Sequence, residues 1–465
     1  MYSAVHTGAV KINRLPAEFF DDLFAVNEIQ DVSKIITNNH ALLGRVLADQ
    51  RLPNTTRSLL NDLVVKAKAG KLRPPDALKA VSLLYSMVMR GGGNSQITWT
   101  VFRKGKAQGL RFLPGSAPVN YSTYALHPDF LEVGQKLFET VESSGSAVLS
   151  SLSQGLLNKN LIPWARVDYR LTKPINSKMT LGIVDVGMGG VGTFEKDHIA
   201  EKHGFASSIG KQFVECLLHL HAEKVGGLPN RVVIALPEDY FSEDLKQVVR
   251  SSEDLKALGE KFANELGSGN VHIAPYSKIA FRPKGVSITD LDGSKKQLGD
   301  KDFILVYNPN KPMKEDFEKG LQKSVQVFGN RQFTAISDKR KNGPFILAGE
   351  VEGAESKIIV PKRGGLIEIA SEEVISPVLE GLSALRLGTG LVLKLPMPVE
   401  QSGKALPSAL FLNPHSPIQR QAAAREIKRY FHAGARQLTA EELIPPHSVS
   451  KGGGGVELRL YYGGK

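Results

Sequence analysis

The residue types that could do chemistry here are first of all cations. Between Arg51 and Arg111 stand twelve Lys or Arg residues, opposed only by Asp62 and Asp76. Arg51, Arg57, Lys66, Lys68, Lys71, Arg73, Arg90, Arg103, Lys104, Lys106 and Arg111 are the candidate phosphate ligands of this stretch. Cations so concentrated neutralise phosphates and release counterions, which supplies most sequence-independent affinity for nucleic acid. Trp99 is interleaved with them, as are Tyr85, Phe102 and Phe112, and such rings stack on unpaired bases. The run Arg103-Lys104-Gly105-Lys106 follows a strand pattern, as a hairpin tip reaching a backbone would. The competing reading is a solvated helical face whose aromatics belong to the core.

A second basic element runs from Ile418 to Arg436, where five cations face one Glu426. Arg425, Lys428, Arg429 and Arg436 recur at helical spacing, while Ile427, Tyr430 and Phe431 would turn inward. Any amphipathic surface helix shares this pattern, including one that meets a partner protein or a membrane surface.

The turn after residues 179–186 offers different chemistry. Gly187, Gly189 and Gly192 match G-x-G-x-x-G, with Gly190 between them, and such a turn lets backbone approach a pyrophosphate. Asp185 opposes that use, because a carboxylate just before the turn repels phosphate. An enzyme reading would bind a phosphorylated or carboxylated substrate at 187–193, with Asp185 or His198 in a chemical role. Dinucleotide binding is not expected, since no acidic residue closes a second strand at the required distance. Gly204 to Lys211 is one residue too long for a phosphate loop, and Gln212 replaces its Ser or Thr.

Asp197, His198, His203, Cys216, His219 and His221 crowd together, yet none has a recognised ligand spacing. No metal and no cofactor is expected. Cys216 sits among Val214, Leu217 and Leu218, where an inert buried thiol belongs. The tail from Lys451 to Leu460 resembles the closing motif of guanidine-modifying hydrolases such as succinylarginine dihydrolase, in which a triple glycine precedes a catalytic cysteine. Glu457 stands at that place, so cysteine chemistry is excluded and the family is not assigned.

Composition frames these candidates. The 465 residues are 42% hydrophobic and 23% charged, which suits sizeable cores rather than disorder. The net charge is +12, and the two basic segments more than account for it. One cysteine excludes a disulfide-stapled scaffold. No signal peptide and no transmembrane segment is read, so the expected location is cytoplasmic or nuclear, not secreted.

The elements that must position the candidates follow from periodicity. Ala17–Val26, His40–Asp49, Thr56–Ala69 and Pro75–Met89 carry helical spacing, and Gly91-Gly92-Gly93 ends it. Strand patterns at Gln96–Arg103 and Trp164–Leu171 flank two further helical stretches. From about residue 176 strands and helices alternate, which favours a sheet covered by helices. The expected fold is mixed α/β or α+β: a helical N-terminal region over 1–92, a mixed segment over 93–175, an α/β domain over 176–343 and a mixed C-terminal domain over 344–465.

The leading function is binding of RNA or single-stranded DNA, or an assembly role of coat-like or nucleoprotein-like kind, with homo-oligomerisation left open. The alternatives are the enzyme described above and a multi-domain scaffold for protein interaction.

Overall fold

The computed structural model describes residues 2–49, 52–90, 96–103, 106–113, 164–176, 178–187, 209–245, 247–248, 253–282, 285–307, 317, 319–320, 327–328, 350–352, 356–359, 363–384, 389–396, 399–401, 404–448 and 451–464. The fold is mixed α+β, with an N-terminal helical region followed by sheet-containing parts.

Strand β1 (Tyr2–Pro16) precedes helices α1 (Phe19–Phe24), α2 (Ile29–Asn38), α3 (His40–Ala48), α4 (Asn54–Lys68) and α5 (Pro74–Arg90). The first strand departs from the helical expectation for this region. It lacks clean apolar alternation, and long-range pairing on both edges holds it extended. Helix α2 was also absent from the periodicity reading; it starts at a capping box in which the Glu28 backbone donates to Asp31 Oδ2 at 3.1 Å. Apolar faces of the helices converge on Leu15, Phe20, Leu43, Leu63, Leu84 and Val88, a core that also takes in Ile418, Ala422 and Leu443.

The chain continues through β2 (Gln96–Arg103), β3 (Lys106–Leu113), β4 (Trp164–Ile175), β5 (Lys178–Gly187), α6 (Ile209–Val225), β6 (Val232–Leu236), α7 (Glu253–Leu266) and β7 (Val271–Pro275). A meander β8 (Ile279–Arg282), β9 (Gly285–Thr289) and β10 (Lys295–Leu298) leads to β11 (Phe303–Val306). After β12 (Val327–Phe328) come β13 (Glu350–Glu352), β14 (Ser356–Ile359), β15 (Arg363–Glu368) and α8 (Ile375–Ser383). The chain closes with β16 (Leu391–Lys394), β17 (Glu400–Gln401), β18 (Lys404–Ala405), β19 (Ala409–Leu412), α9 (Pro417–His432), β20 (Gln437–Glu442) and β21 (Gly454–Gly464).

The largest sheet has the order β13-β14-β5-β4-β21-β1-β2-β3. Its strands come from all four expected regions of the chain. The first and last strands lie side by side, with Val10 opposite Leu458. Arg170 on β4 secures this arrangement. Its guanidinium pairs with Glu457 on β21 and donates to the carbonyls of Ile444 at 3.0 Å and Met89 at 3.3 Å. Glu457, at the place where the hydrolase motif would need cysteine, is therefore the ion-pair partner of the buried Arg170.

A parallel sheet of order β12-β11-β6-β7 and an antiparallel sheet of order β15-β20-β16-β19 complete the larger layers. Strands β6 and β11 are buried along their whole length, as parallel strands covered on both faces are. Lys394 on β16 pairs with Glu441 on β20 at 2.5 Å and donates to the Val184 carbonyl at 2.6 Å, joining the antiparallel sheet to β5. Among the described residues no helix is long and apolar enough to cross a membrane.

Candidate nucleic-acid interface

Helix α4 ends in a Schellman turn. Gly70 takes φ +65°, and the Lys71 backbone N–H donates to the Lys66 carbonyl at 2.9 Å. That reversal places Lys68 and Lys71 at the surface. Helix α5 then starts at two prolines, whose fixed φ suits a first turn. The Asp76 carboxylate reaches back to accept the Arg73 backbone N–H at 3.4 Å. It also accepts from Lys66 Nζ at 3.0 Å, and that bond holds the Asp76 carboxyl below its usual range. Arg73 and Lys79 remain exposed.

Helix α9 is capped by Ser416, whose hydroxyl accepts the Gln419 backbone N–H at 3.3 Å, with Pro417 in the first turn. Its inner face buries Ile418, Ala422, Ala423, Ile427 and Tyr430. Arg425 Nη1 donates to the Pro75 carbonyl at 3.1 Å, at the start of α5. The two basic segments, far apart in sequence, thus meet. Lys68, Lys71 and Arg73 flank the α4–α5 turn, Lys79 lies one helical turn beyond Pro75, and Arg425 crosses from α9.

Other expected cations are engaged within the molecule. Arg57 Nη2 donates to the carbonyls of Asp49 at 2.9 Å and Leu52 at 3.2 Å, tying the α3–α4 connection. Lys66 lies between Asp62 at 2.8 Å and Asp76 at 3.0 Å. Lys428 pairs with Glu372 at 3.4 Å and Arg429 with Glu426 at 2.6 Å. The Arg436 guanidinium lies 4.2 Å over the Phe431 ring and donates to the carbonyls of Phe431 and Ala435.

Tyr85 does not serve as a stacking platform. It is 1% exposed, and its hydroxyl donates to Gln419 Oε1 at 2.8 Å. Burial outweighs that bond and raises its pKa. The hairpin expected around Arg103 forms, with Arg103 opposite Lys106 and Trp99 opposite Arg111 in backbone register. Arg90 closes α5. Arg51 and Lys104 lie outside the described residues.

Of the glycine turn, Gly187 is the last residue of β5, opposite Arg166; Gly189, Gly190, Gly192 and His198 lie outside the described residues. Asp185 stands opposite Asp168, which accepts a two-pronged pair from Arg459 at 2.7 Å and 2.7 Å. Cys216 is buried, and His219 pairs with Glu223 on the surface of α6 at 3.2 Å. Among the described residues no cluster of His, Cys, Asp or Glu could hold a metal ion.

No known family matches the chain, and no curated protein does. Solved structures that are similar in part include two synthetase-like proteins. The apo form of a glutathione synthetase-like effector from Globodera pallida is 14% identical, covers 66% of this chain and of its own, and has a TM-score of 0.30. A protein named as a γ-glutamylcysteine synthetase from Methylobacillus flagellatus KT is 13% identical, covers 73% of this chain and 76% of its own, and has a TM-score of 0.28. Likeness at this level assigns neither a fold family nor a chemistry to the chain.

Proposed function

We propose that this protein binds RNA or single-stranded DNA through phosphate contacts at the face shared by α4, α5 and α9. The observation that supports the reading is the convergence at Pro75, where Arg425 crosses to a turn carrying the exposed cations Lys68, Lys71 and Arg73. Side chains of this kind on one surface neutralise several phosphates together and give affinity with little sequence preference. Arg57, Lys66, Lys428 and Arg429 are engaged with carbonyls or carboxylates of the protein itself and are not counted among its phosphate ligands.

The test is the ratio of absorbance at 260 and 280 nm for protein purified in low salt, repeated after a high-salt wash. A high ratio that the wash lowers supports the reading. A clean protein ratio in low salt, with no retention of single-stranded RNA or DNA, overturns it.

A further inference from the structure

Helices α4, α5 and α9 carry three carboxylates, Asp62, Asp76 and Glu426. Each is held by a cation of the protein itself. Lys66 lies 2.8 Å from Asp62 and 3.0 Å from Asp76, and Arg429 lies 2.6 Å from Glu426. Asp76 and Glu426 are also buried, so Asp62 is the one carboxylate that these helices expose. Against it stand the exposed cations Lys68, Lys71, Arg73 and Lys79, and Arg425 crosses to them at Pro75. Such an excess of one sign on one surface attracts a polyanion.

The rings of the same elements are engaged within the molecule. Helix α4 and the turn that joins it to α5 have no aromatic residue. Tyr85 of α5 is 1% exposed and Tyr430 of α9 is 0% exposed. Phe431 packs against the core of the antiparallel sheet, and the Arg436 guanidinium covers its ring at 4.2 Å. His432 pairs with Glu372 at 2.8 Å. Single-strand sites draw on open rings, because each base stacks on one. Here a bound strand meets cations and no stacking platform. Its phosphates carry the affinity, and its sugars and bases add little.

We infer that inorganic polyphosphate, a linear phosphate chain without sugar or base, binds this face and competes there with nucleic acid. The inference rests on the proposed reading of the face as a phosphate surface and extends its ligands beyond nucleotides. With no sugar between them, the phosphates of this chain lie closer together than those of a nucleic-acid strand. Consecutive phosphates can therefore meet Lys68, Lys71 and Arg73, which flank a single turn. Orthophosphate meets one exposed cation at a time and is a weak ligand by comparison.

The test is calorimetric titration of the full chain with polyphosphate in low salt, repeated on a variant carrying Lys68→Gln, Lys71→Gln and Arg73→Gln whose fold is checked by circular dichroism. In parallel, anisotropy of a labelled single-stranded oligonucleotide follows its displacement by polyphosphate, or by orthophosphate at the same total phosphate. Saturable polyphosphate binding is expected, weaker in the variant by about tenfold or more. Polyphosphate should displace the oligonucleotide where orthophosphate does not, and an abasic strand should bind within about fivefold of its parent. Polyphosphate that fails to bind, or that native protein and variant bind equally, overturns the inference, as does a larger loss with the abasic strand. An oligonucleotide that still binds in those cases leaves the proposed function standing. Polyphosphate binding weakened in the variant, with no oligonucleotide bound at all, upholds the inference and overturns the proposed function.

Discussion

Arg425 and Pro75 stand 350 positions apart, and the guanidinium of one donates to the carbonyl of the other at 3.1 Å. This contact seats α9 against the first turn of α5 and brings a cation beside the α4–α5 turn. Under the proposed function, Arg425→Ala weakens binding of a single-stranded oligonucleotide several-fold. Arg425→Lys recovers part of that loss, because charge returns without the planar fork. Fluorescence anisotropy with a labelled oligonucleotide reads both.

The Arg170–Glu457 pair predicts a large and asymmetric stability effect. Arg170 is buried and Glu457 partly so, and Arg170 also satisfies two carbonyls. Glu457→Gln or Arg170→Met leaves an uncompensated charge or unpaired carbonyls and should cost about 3–5 kcal/mol in chemical denaturation. Replacing both by apolar residues should cost less than the two single losses added together.

Gln419 joins α9 to the helical region. Its Nε2 donates to the carbonyls of Leu23 at 2.9 Å and Val26 at 3.0 Å, while Oε1 accepts from Tyr85 and from the Asn413 backbone. Gln419→Leu strands these buried partners and should destabilise by about 2–4 kcal/mol. Tyr85→Phe removes a single hydroxyl and should cost about 1 kcal/mol. Equal losses from the two variants would contradict the network.

Acid should weaken the fold in two stages. Burial lowers the pKa of His221 and of His447 below the ordinary 6.5. The unfolded chain then binds more protons than the folded one as pH falls through 6.5, so stability declines there. At Asp290 burial pushes the carboxyl up, but the Lys296 bond and the nearby His272 outweigh it and hold the pKa below 3.8. At Asp76 the Lys66 bond does the same. Their contribution is present above pH 3.8 and is lost as pH falls through the lowered folded values. Denaturation midpoints measured from pH 8 to 3 check both stages, and His221→Gln should flatten the upper one.

Local pattern revealed much of the secondary structure. Helical spacing marks α4, α5 and α9 to within about two residues, because each buries one apolar stripe. Strand β1 was not legible, since its extended form comes from pairing with β21 at the other end of the chain. In the β8–β10 meander the Gly- and Lys-rich turn at 289–296 reads as a hairpin loop, but the flanking strands do not stand out, because residues 279–298 mix Gly, Pro and Lys among short apolar runs that only the face of the parallel sheet completes. The two basic segments were visible as charge, but their meeting at Pro75 is a tertiary fact. Nor does composition tell Lys68, which is exposed, from Arg57, which holds backbone carbonyls. Tyr85 shows the same limit for aromatics, because spacing among cations says nothing of a ring's burial.

The most direct measurement is the salt dependence of oligonucleotide affinity for the native protein and for a variant carrying Lys68→Gln, Lys71→Gln and Arg73→Gln. If the face binds phosphates, log affinity of the native protein falls linearly with log salt, and the variant's slope is shallower by about 2. Parallel lines for the two proteins, or affinity that does not respond to salt, would contradict the assignment of this face.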